Sequence, residues 1–252
     1  MTDAQHGRVH RAAWLVGGAI LVTLVSVGLY VQTRPAPPLL AVPMRARVAA
    51  APTSADGPSA RPGATSGGSG HTVAVSPQWV AHTAAATGVP TAAVRAYGAA
   101  TLLEAEQDPG CHLGWTTLAG VGWVESQQGT IDGRTLQADG TPSAPITGPS
   151  LDGGNKIAAI PDASGGWARA LGPMQFIPST WKQWAADGDG DGRADPQDID
   201  DAAVAAARYL CASGGDLSTG PGWSAAIYSY NHSADYVRSV YAAAQAYATR
   251  DS

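Results

Sequence analysis

Glutamate is rare in this chain: among 252 residues only Glu104, Glu106 and Glu125 carry it. Glu125 lies in VGWVESQQG, with Leu118 and Val121 seven and four residues before it, the spacing of one helical face. Gly114 and Gly122 leave part of that helix slim enough for something to approach closely. A carboxyl at the end of an apolar stripe loses hydration, which raises its pKa and favours a protonated form able to donate to a leaving oxygen. On its own, such a residue reads equally well as an ordinary helix-end Glu facing water.

Two further segments bear on that choice. In ALGPMQFIPSTW, residues 170–181, Gly172-Pro173 makes a turn, Met174 and Phe176 flank the amide of Gln175, and Ser179 opens a helix. A Met beside an amide on a loop suits the wall and hydrogen-bonding floor of a sugar site; the same pattern also fits a core loop. In SYNHS, residues 229–233, Tyr230 and Asn231 stand just before the last helix, where Asn231 could simply cap it.

Residues 187–198 read DGDGDGRADPQD, and seven of the 18 acidic residues after position 70 fall between Asp187 and Asp201, opposed only by Arg193. Carboxylates so crowded repel one another unless a cation sits among them. Asp187, Asp189 and Asp191 take positions 1, 3 and 5 of a calcium loop, with Gly192 at the sharp turn. Arg193 offers its backbone carbonyl at position 7, and Asp195 and Asp198 take positions 9 and 12. The pattern expects Glu at position 12, so Asp198 is a departure that shortens the bidentate arm. The other reading is a solvated acidic turn whose aspartates cap helices. A bound Ca²⁺ here would be structural, since no His or Cys invites a nucleophilic water.

The elements that must hold these residues are mostly helical. Ser76-Pro77 starts a helix that Gly88 stops, a second runs from about Thr91 to Gln107, and a third from about His112 to Gln128. Residues 130–166, dense in Gly and Pro, read as loops with one short hairpin. Helices resume at about Ser179–Ala186, Asp200–Ala212, Trp223–Tyr228 and Ser233–Thr249, the last with an apolar stripe of Tyr236, Val237, Val240, Tyr241 and Ala244.

Upstream, residues 12–31 form 20 consecutive uncharged residues, long enough to span a bilayer. A cleavable signal would have an unusually long core here, which favours an uncleaved anchor behind a tail of residues 1–11. Arg8 and Arg11 precede it while Arg34, Arg45 and Arg47 follow, so charge leaves orientation open. The short N-terminal tail favours an N-in, C-out chain with its globular part outside the cytoplasm. Residues 32–74, rich in Pro, Ala, Gly and Ser, read as a disordered linker with a reach on the order of 35 Å. Cys111 and Cys211 both follow the anchor and suit a disulfide in an exported domain, with two buried thiols as the alternative. From residue 71 onward 9 Lys+Arg stand against 18 Asp+Glu, a balance of −9 that argues against nucleic acid or anionic lipid as a direct partner.

In order, ES, then GPMQF with PSTW, then an aspartate-rich loop, then YNHS followed by Tyr236-Val237 resembles the lytic murein transglycosylases, most closely the membrane-bound B type and its actinobacterial relatives. The resemblance spans most of 75–250. It implies a lysozyme-like catalytic domain, mainly α (α+β), with a long groove and an EF-hand-like calcium loop. It also implies cleavage of the MurNAc-β-1,4-GlcNAc bond of peptidoglycan glycan strands, without organic cofactor, by a monomer at the cell wall. By motif, Glu125 is the single acid/base. Gln175 binds substrate and positions the acid, Met174 lines the groove beside Phe176, and Asn231 holds the muramic N-acetyl region. Tyr230 and Tyr236 are groove or support residues. Some B-type relatives carry a Ser about nine residues before the motif Gln; this chain has Gly166 there, which removes a hydroxyl contact to the acid.

Two other functions remain open from sequence. A hydrolysing muramidase needs a second carboxylate, for which Asp132, Asp139, Asp152 and Asp162 are available. A non-catalytic, calcium-stabilised wall-binding module would leave Glu125 exposed and far from Gln175.

Overall fold

The computed structural model describes residues 57–58, 72–154 and 159–252. The chain divides into units 1–46 and 47–252, and every described residue belongs to the second. The expected tail, anchor and most of the linker therefore lie outside the described residues. Among the described residues no helix is long and apolar enough to cross a membrane.

The first helix, α1 (Pro77–Thr87), begins where Ser76 accepts a hydrogen bond from the Trp79 amide and ends at Gly88 with φ 75°. The second, α2, covers Thr91–Gln107, the span its sequence predicts. The third, α3 (Trp115–Ser126), is shorter than the expected His112–Gln128. His112, Gln127 and Gln128 all have left-handed φ, of 52°, 53° and 64°, and so cannot continue an α-helix. Gly114 is the residue before the helix rather than a slim position within it.

Every residue of α3 from Trp115 to Gly122 is buried. This is a helix apolar all round and enclosed by its neighbours, not one with a single core face. The enclosure is tight: a Cβ on Gly120 would stand 2.8 Å from the carbonyl of Val240, and one on Gly122 would overlap the Tyr97 hydroxyl. Glu125 thus sits one turn beyond the deepest part of the domain.

From the Gly- and Pro-rich stretch, β1 (Thr147–Ser150) pairs antiparallel with β2 (Arg169–Leu171) beyond it, Thr147 opposite Leu171 and Ser150 opposite Arg169. The short hairpin expected within 130–166 is not this pair; inside that stretch there are isolated antiparallel bridges, such as Leu136 opposite Pro142. Beyond it come α4 (Pro178–Trp184), α5 (Ile199–Gly214), α6 (Gly220–Tyr230) and α7 (Ala234–Arg250). The inner face of α7 is Tyr236, Val240, Ala244 and Tyr247, against α3. On α2, Arg95 grips Asp200 at the start of α5 through Nε at 3.2 Å and Nη2 at 2.5 Å.

The Cys111–Cys211 disulfide is formed, across a sequence separation of 100 residues. It ties the segment entering α3 to the end of α5, with both cysteines buried. A loop of that length contributes up to about 4–5 kcal/mol in the chain-entropy model.

Candidate active site

Glu125 leaves the last turn of α3 toward α7, where the Tyr236 hydroxyl donates to its Oε1 at 2.5 Å. Burial pushes the Glu125 carboxyl from 4.5 up to about 7, and the tyrosine bond, which favours the ionised form, only partly opposes it. No other carboxylate contributes to that shift. The group therefore holds its proton to higher pH than an ordinary carboxyl because of its surroundings, not because of a like charge.

Ser126, the next residue, was not singled out by sequence. Its Oγ donates to the Pro173 carbonyl at 2.6 Å and accepts from the Gly129 amide at 2.8 Å. One buried hydroxyl thus fastens the end of α3 to the turn carrying Gln175. The "ES" pair holds the acid on one residue and its anchorage on the next.

Gln175 sits in that turn with a left-handed φ of 51°, a conformation that costs a non-glycine residue about 1–2 kcal/mol. Its Nε2 donates to the Gly172 carbonyl at 2.9 Å, and its Oε1 lies where a Cβ on Gly148 of β1 would come within 2.7 Å. The side chain stays partly exposed. Strained residues held by their surroundings concentrate at functional sites.

Its neighbours behave differently. Met174 is fully buried and Phe176 is 3% exposed, so neither forms a groove wall as expected. Leu171 and Phe176 exchange backbone hydrogen bonds of 2.9 Å, and this tight turn sends the residues flanking Gln175 inward. Phe176 packs edge-on against Trp181 and Tyr230, with centroids 5.4 and 5.9 Å away. Met174 reaches Tyr97 of α2, whose hydroxyl lies 3.9 Å from Sδ.

Tyr230, at the end of α6, donates to the Met174 carbonyl at 2.8 Å and lies parallel to Tyr236, 6.4 Å apart with 4° between planes. Burial raises the pKa of both phenols, so both stay neutral donors. Asn231 is exposed just past α6. The α7 cap is Ser233, which accepts from the Tyr236 amide, so the Asn231 side chain is left to face outward. Gly166 has φ 91°, a position that suits glycine rather than serine.

The four aspartates that could have supplied a second carboxylate are each engaged locally. Asp132 pairs with Arg134 at 3.1 Å, Asp139 accepts from Thr141 and Asp162 from Ser164, and Asp152 accepts from the Gly154 amide.

In the acidic loop, carboxylate oxygens of Asp187, Asp189 and Asp201 lie within 4.8 Å of one another. Asp201 replaces the expected Asp198. The Asp198 side chain accepts from the Asp200 amide and caps α5 instead; its short arm closes on its own helix. Asp201 is one turn further in and points back across the loop, taking the amides of Gly188 at 2.6 Å and Asp195 at 2.7 Å. Asp191 and Asp195 also accept from local amides, those of Arg193 and Gln197, and among the described residues no other His, Cys, Asp or Glu side chain joins the three aspartates. Three hard oxygen donors, two from a loop bent at Gly190 and Gly192 and one from the first turn of α5, fit a divalent cation such as Ca²⁺.

The acidic loop also touches the Gln175 turn. A Cβ on Gly172 would overlap the Pro196 carbonyl, while the Gln197 amide exchanges two 2.9 Å hydrogen bonds with the backbone of Ile146.

Residues 155–224 match the family model described as Transglycosylase SLT domain. The match holds the Gln175 turn, the acidic loop and α5, and begins after Glu125. No curated protein matches the chain. Among solved structures the chain is similar to the Escherichia coli lytic transglycosylase Slt35 in complex with calcium, at 16% identity and a TM-score of 0.44, over 70% of this chain and 76% of that one. It is similar to the same enzyme in complex with bulgecin A at 18% identity and a TM-score of 0.41, over 70% and 76%. For SltB3 from Pseudomonas aeruginosa in complex with NAG-anhNAM-pentapeptide the values are 20% and 0.38, over 69% and 67%. The Gln175 turn lies inside the matched span and is fastened by Ser126 to the helix end that bears Glu125, so the part of the chain that is similar to a transglycosylase SLT domain is joined directly to the candidate acid.

Proposed function

We propose that the protein is a peptidoglycan lytic transglycosylase that cleaves the MurNAc-β-1,4-GlcNAc bond with Glu125 as its single general acid and base. The observation that carries this reading is a lone carboxyl whose pKa stands at about 7 through burial, hydrogen-bonded to Tyr236 and to no second acid. Glu125 protonates the glycosidic oxygen as the bond to C1 breaks, and the substrate's N-acetyl carbonyl stabilises the oxocarbenium-like centre. The carboxylate so formed takes the proton of the muramic C6 hydroxyl, whose oxygen attacks C1 and closes a 1,6-anhydro ring. No water is consumed, and Glu125 ends protonated as it began. In this reading the partly exposed Gln175 and the exposed Asn231 hold the sugars, with Tyr230 and Tyr236 as support residues behind them. A hydrolase of either stereochemistry would need a partner carboxylate about 5–9.5 Å away, and the local bonds of Asp132, Asp139, Asp152 and Asp162 disfavour them in that role.

Asp187, Asp189 and Asp201 hold a structural Ca²⁺ in this reading, in keeping with the calcium in the Slt35 complex. Residues 12–31 anchor the chain in the cell membrane with the domain on the wall side, a location that suits the disulfide. The chain works as a monomer on glycan strands.

The test is digestion of purified peptidoglycan by the full-length chain in detergent, with mass analysis of released muropeptides and Glu125→Gln as control. Products lighter by one water, without a reducing end and missing from the control, are expected. Reducing-end products would overturn the lyase reading in favour of hydrolysis, and binding to wall material without any product would mark a non-catalytic module.

A further inference from the structure

We propose that Tyr97 and Gln128 are positioning residues that keep Glu125 in register with the Gln175 turn and with α7. The inference rests on the function proposed above, whose chemistry uses neither residue. Tyr97 is wholly buried and Gln128 only 2% exposed, so neither meets substrate.

Gln128 follows Glu125 by one turn of chain and has nearly all its hydrogen-bonding capacity occupied. Its Oε1 accepts from the Tyr97 hydroxyl at 2.5 Å. Its Nε2 donates to the Ala119 carbonyl at 2.9 Å and to the Tyr247 oxygen at 3.1 Å. Its backbone N–H donates to the Gly122 carbonyl at 2.9 Å. One amide therefore joins the end of α3 to α2 and α7. A core that needed only bulk at this point would be served by an apolar side chain, since replacing paired polar groups by apolar ones of like shape is nearly neutral.

Tyr97 carries the connection onward. Its hydroxyl lies against the missing side chain of Gly122 and 3.9 Å from Sδ of Met174. The Met174 carbonyl takes the Tyr230 hydroxyl, Tyr230 stacks on Tyr236, and Tyr236 returns to Glu125. From Glu125 along the chain to Gln128, then through Tyr97, Met174, Tyr230 and Tyr236, the contacts close a ring behind the acid. Every element that brings a residue to the site, α3, the Gln175 turn, α6 and α7, is a member. Tyr97 and Gln128 are the only two ring members, among those named, that reach neither substrate-binding nor proton-transferring groups directly, which is why they act through the others.

The experiment uses full-length wild type, Tyr97→Phe, Gln128→Met and the double variant. It reads rates on purified peptidoglycan and, separately, the pH titration of the Glu125 carboxyl carbon by ¹³C NMR, assignable because the chain has only three Glu. In each single variant kcat should fall about tenfold or more with KM within about twofold, the mark of misplaced reacting groups. The double variant should be no worse than the poorer single one, because the two residues act as a unit. Glu125 should titrate below its wild-type value as water reaches it. If Tyr97→Phe keeps the wild-type kcat and titration while only its melting temperature drops, the proposal fails and the pair merely supports the core. Should Gln128→Met not fold, Tyr97→Phe decides by the loss of one hydroxyl. A wild-type chain that releases no product overturns the proposed function instead, and the NMR titration still decides the positioning role.

Discussion

Tyr236 and Glu125 stand 111 residues apart in sequence, yet the phenol donates to the carboxylate at 2.5 Å. That bond favours the ionised acid, while burial favours the protonated one and prevails. Cleavage that starts from the protonated form should therefore decline as pH rises through about 7. Tyr236→Phe removes the opposing influence, so the high-pH limb should move upward. At pH 5 the rate should nonetheless fall about tenfold, because the acid loses its orientation. A pH–rate profile of both proteins checks the two statements together; a limb that moves downward would contradict the assignment.

The same carboxyl makes a prediction about stability. Its folded pKa is raised, so the folded state holds the proton more tightly than the unfolded chain. Its contribution is most favourable below about 4.5 and is lost as pH rises through about 7. Glu125→Gln should abolish cleavage, leave stability at pH 4 close to wild type, and stabilise the protein by up to about 3 kcal/mol at pH 8. Denaturant unfolding at the two pH values reads this difference.

Ser126→Ala should cost about 1–3 kcal/mol, since the Pro173 carbonyl and the Gly129 amide both lose a buried partner. Activity should fall further than the folded fraction does, because Gln175 is released from the end of α3. Rates compared with the circular-dichroism melting curve separate the two effects.

Chelation should lower both the melting temperature and the activity, with Ca²⁺ restoring them. Asp201→Asn should weaken calcium binding in calorimetric titration, whereas Asp198→Ala should leave it nearly intact and cost about 1 kcal/mol as a lost helix cap. The reverse pattern would return Asp198 to the ligand set.

Much of this molecule is legible in the sequence where local chemistry decides. Ser76-Pro77 and Gly88 bound α1, and α2 runs over its expected residues, because caps and breakers act through the backbone nearby. The raised pKa of Glu125 is partly legible, since Leu118 and Val121 put it at the end of an apolar stripe, whereas the burial of every residue from Trp115 to Gly122 is not. What escapes is set by distant partners. Gln127 and Gln128 take left-handed backbone that sequence would assign to Gly or Asn, and Gln128 is held there by Tyr97 and Tyr247. The strand Thr147–Ser150 reads TGPS, which no propensity would favour; it is a strand because Arg169–Leu171 lies beside it. Met174 looked like a sugar-facing wall because it adjoins Gln175, but a tight turn points neighbours in opposite directions. Asp198 matched a spacing rule, while Asp201 matched the space.

The contact of Gly172 with the Pro196 carbonyl leaves no room between two segments that are remote in sequence. Neither can lengthen or reshape without displacing the other, whatever residues fill it. The turn that presents Gln175 and the loop rich in aspartate are therefore one heritable cassette. Swapping either alone into a relative should break the recipient, while moving residues 146–201 together should transplant the arrangement whole.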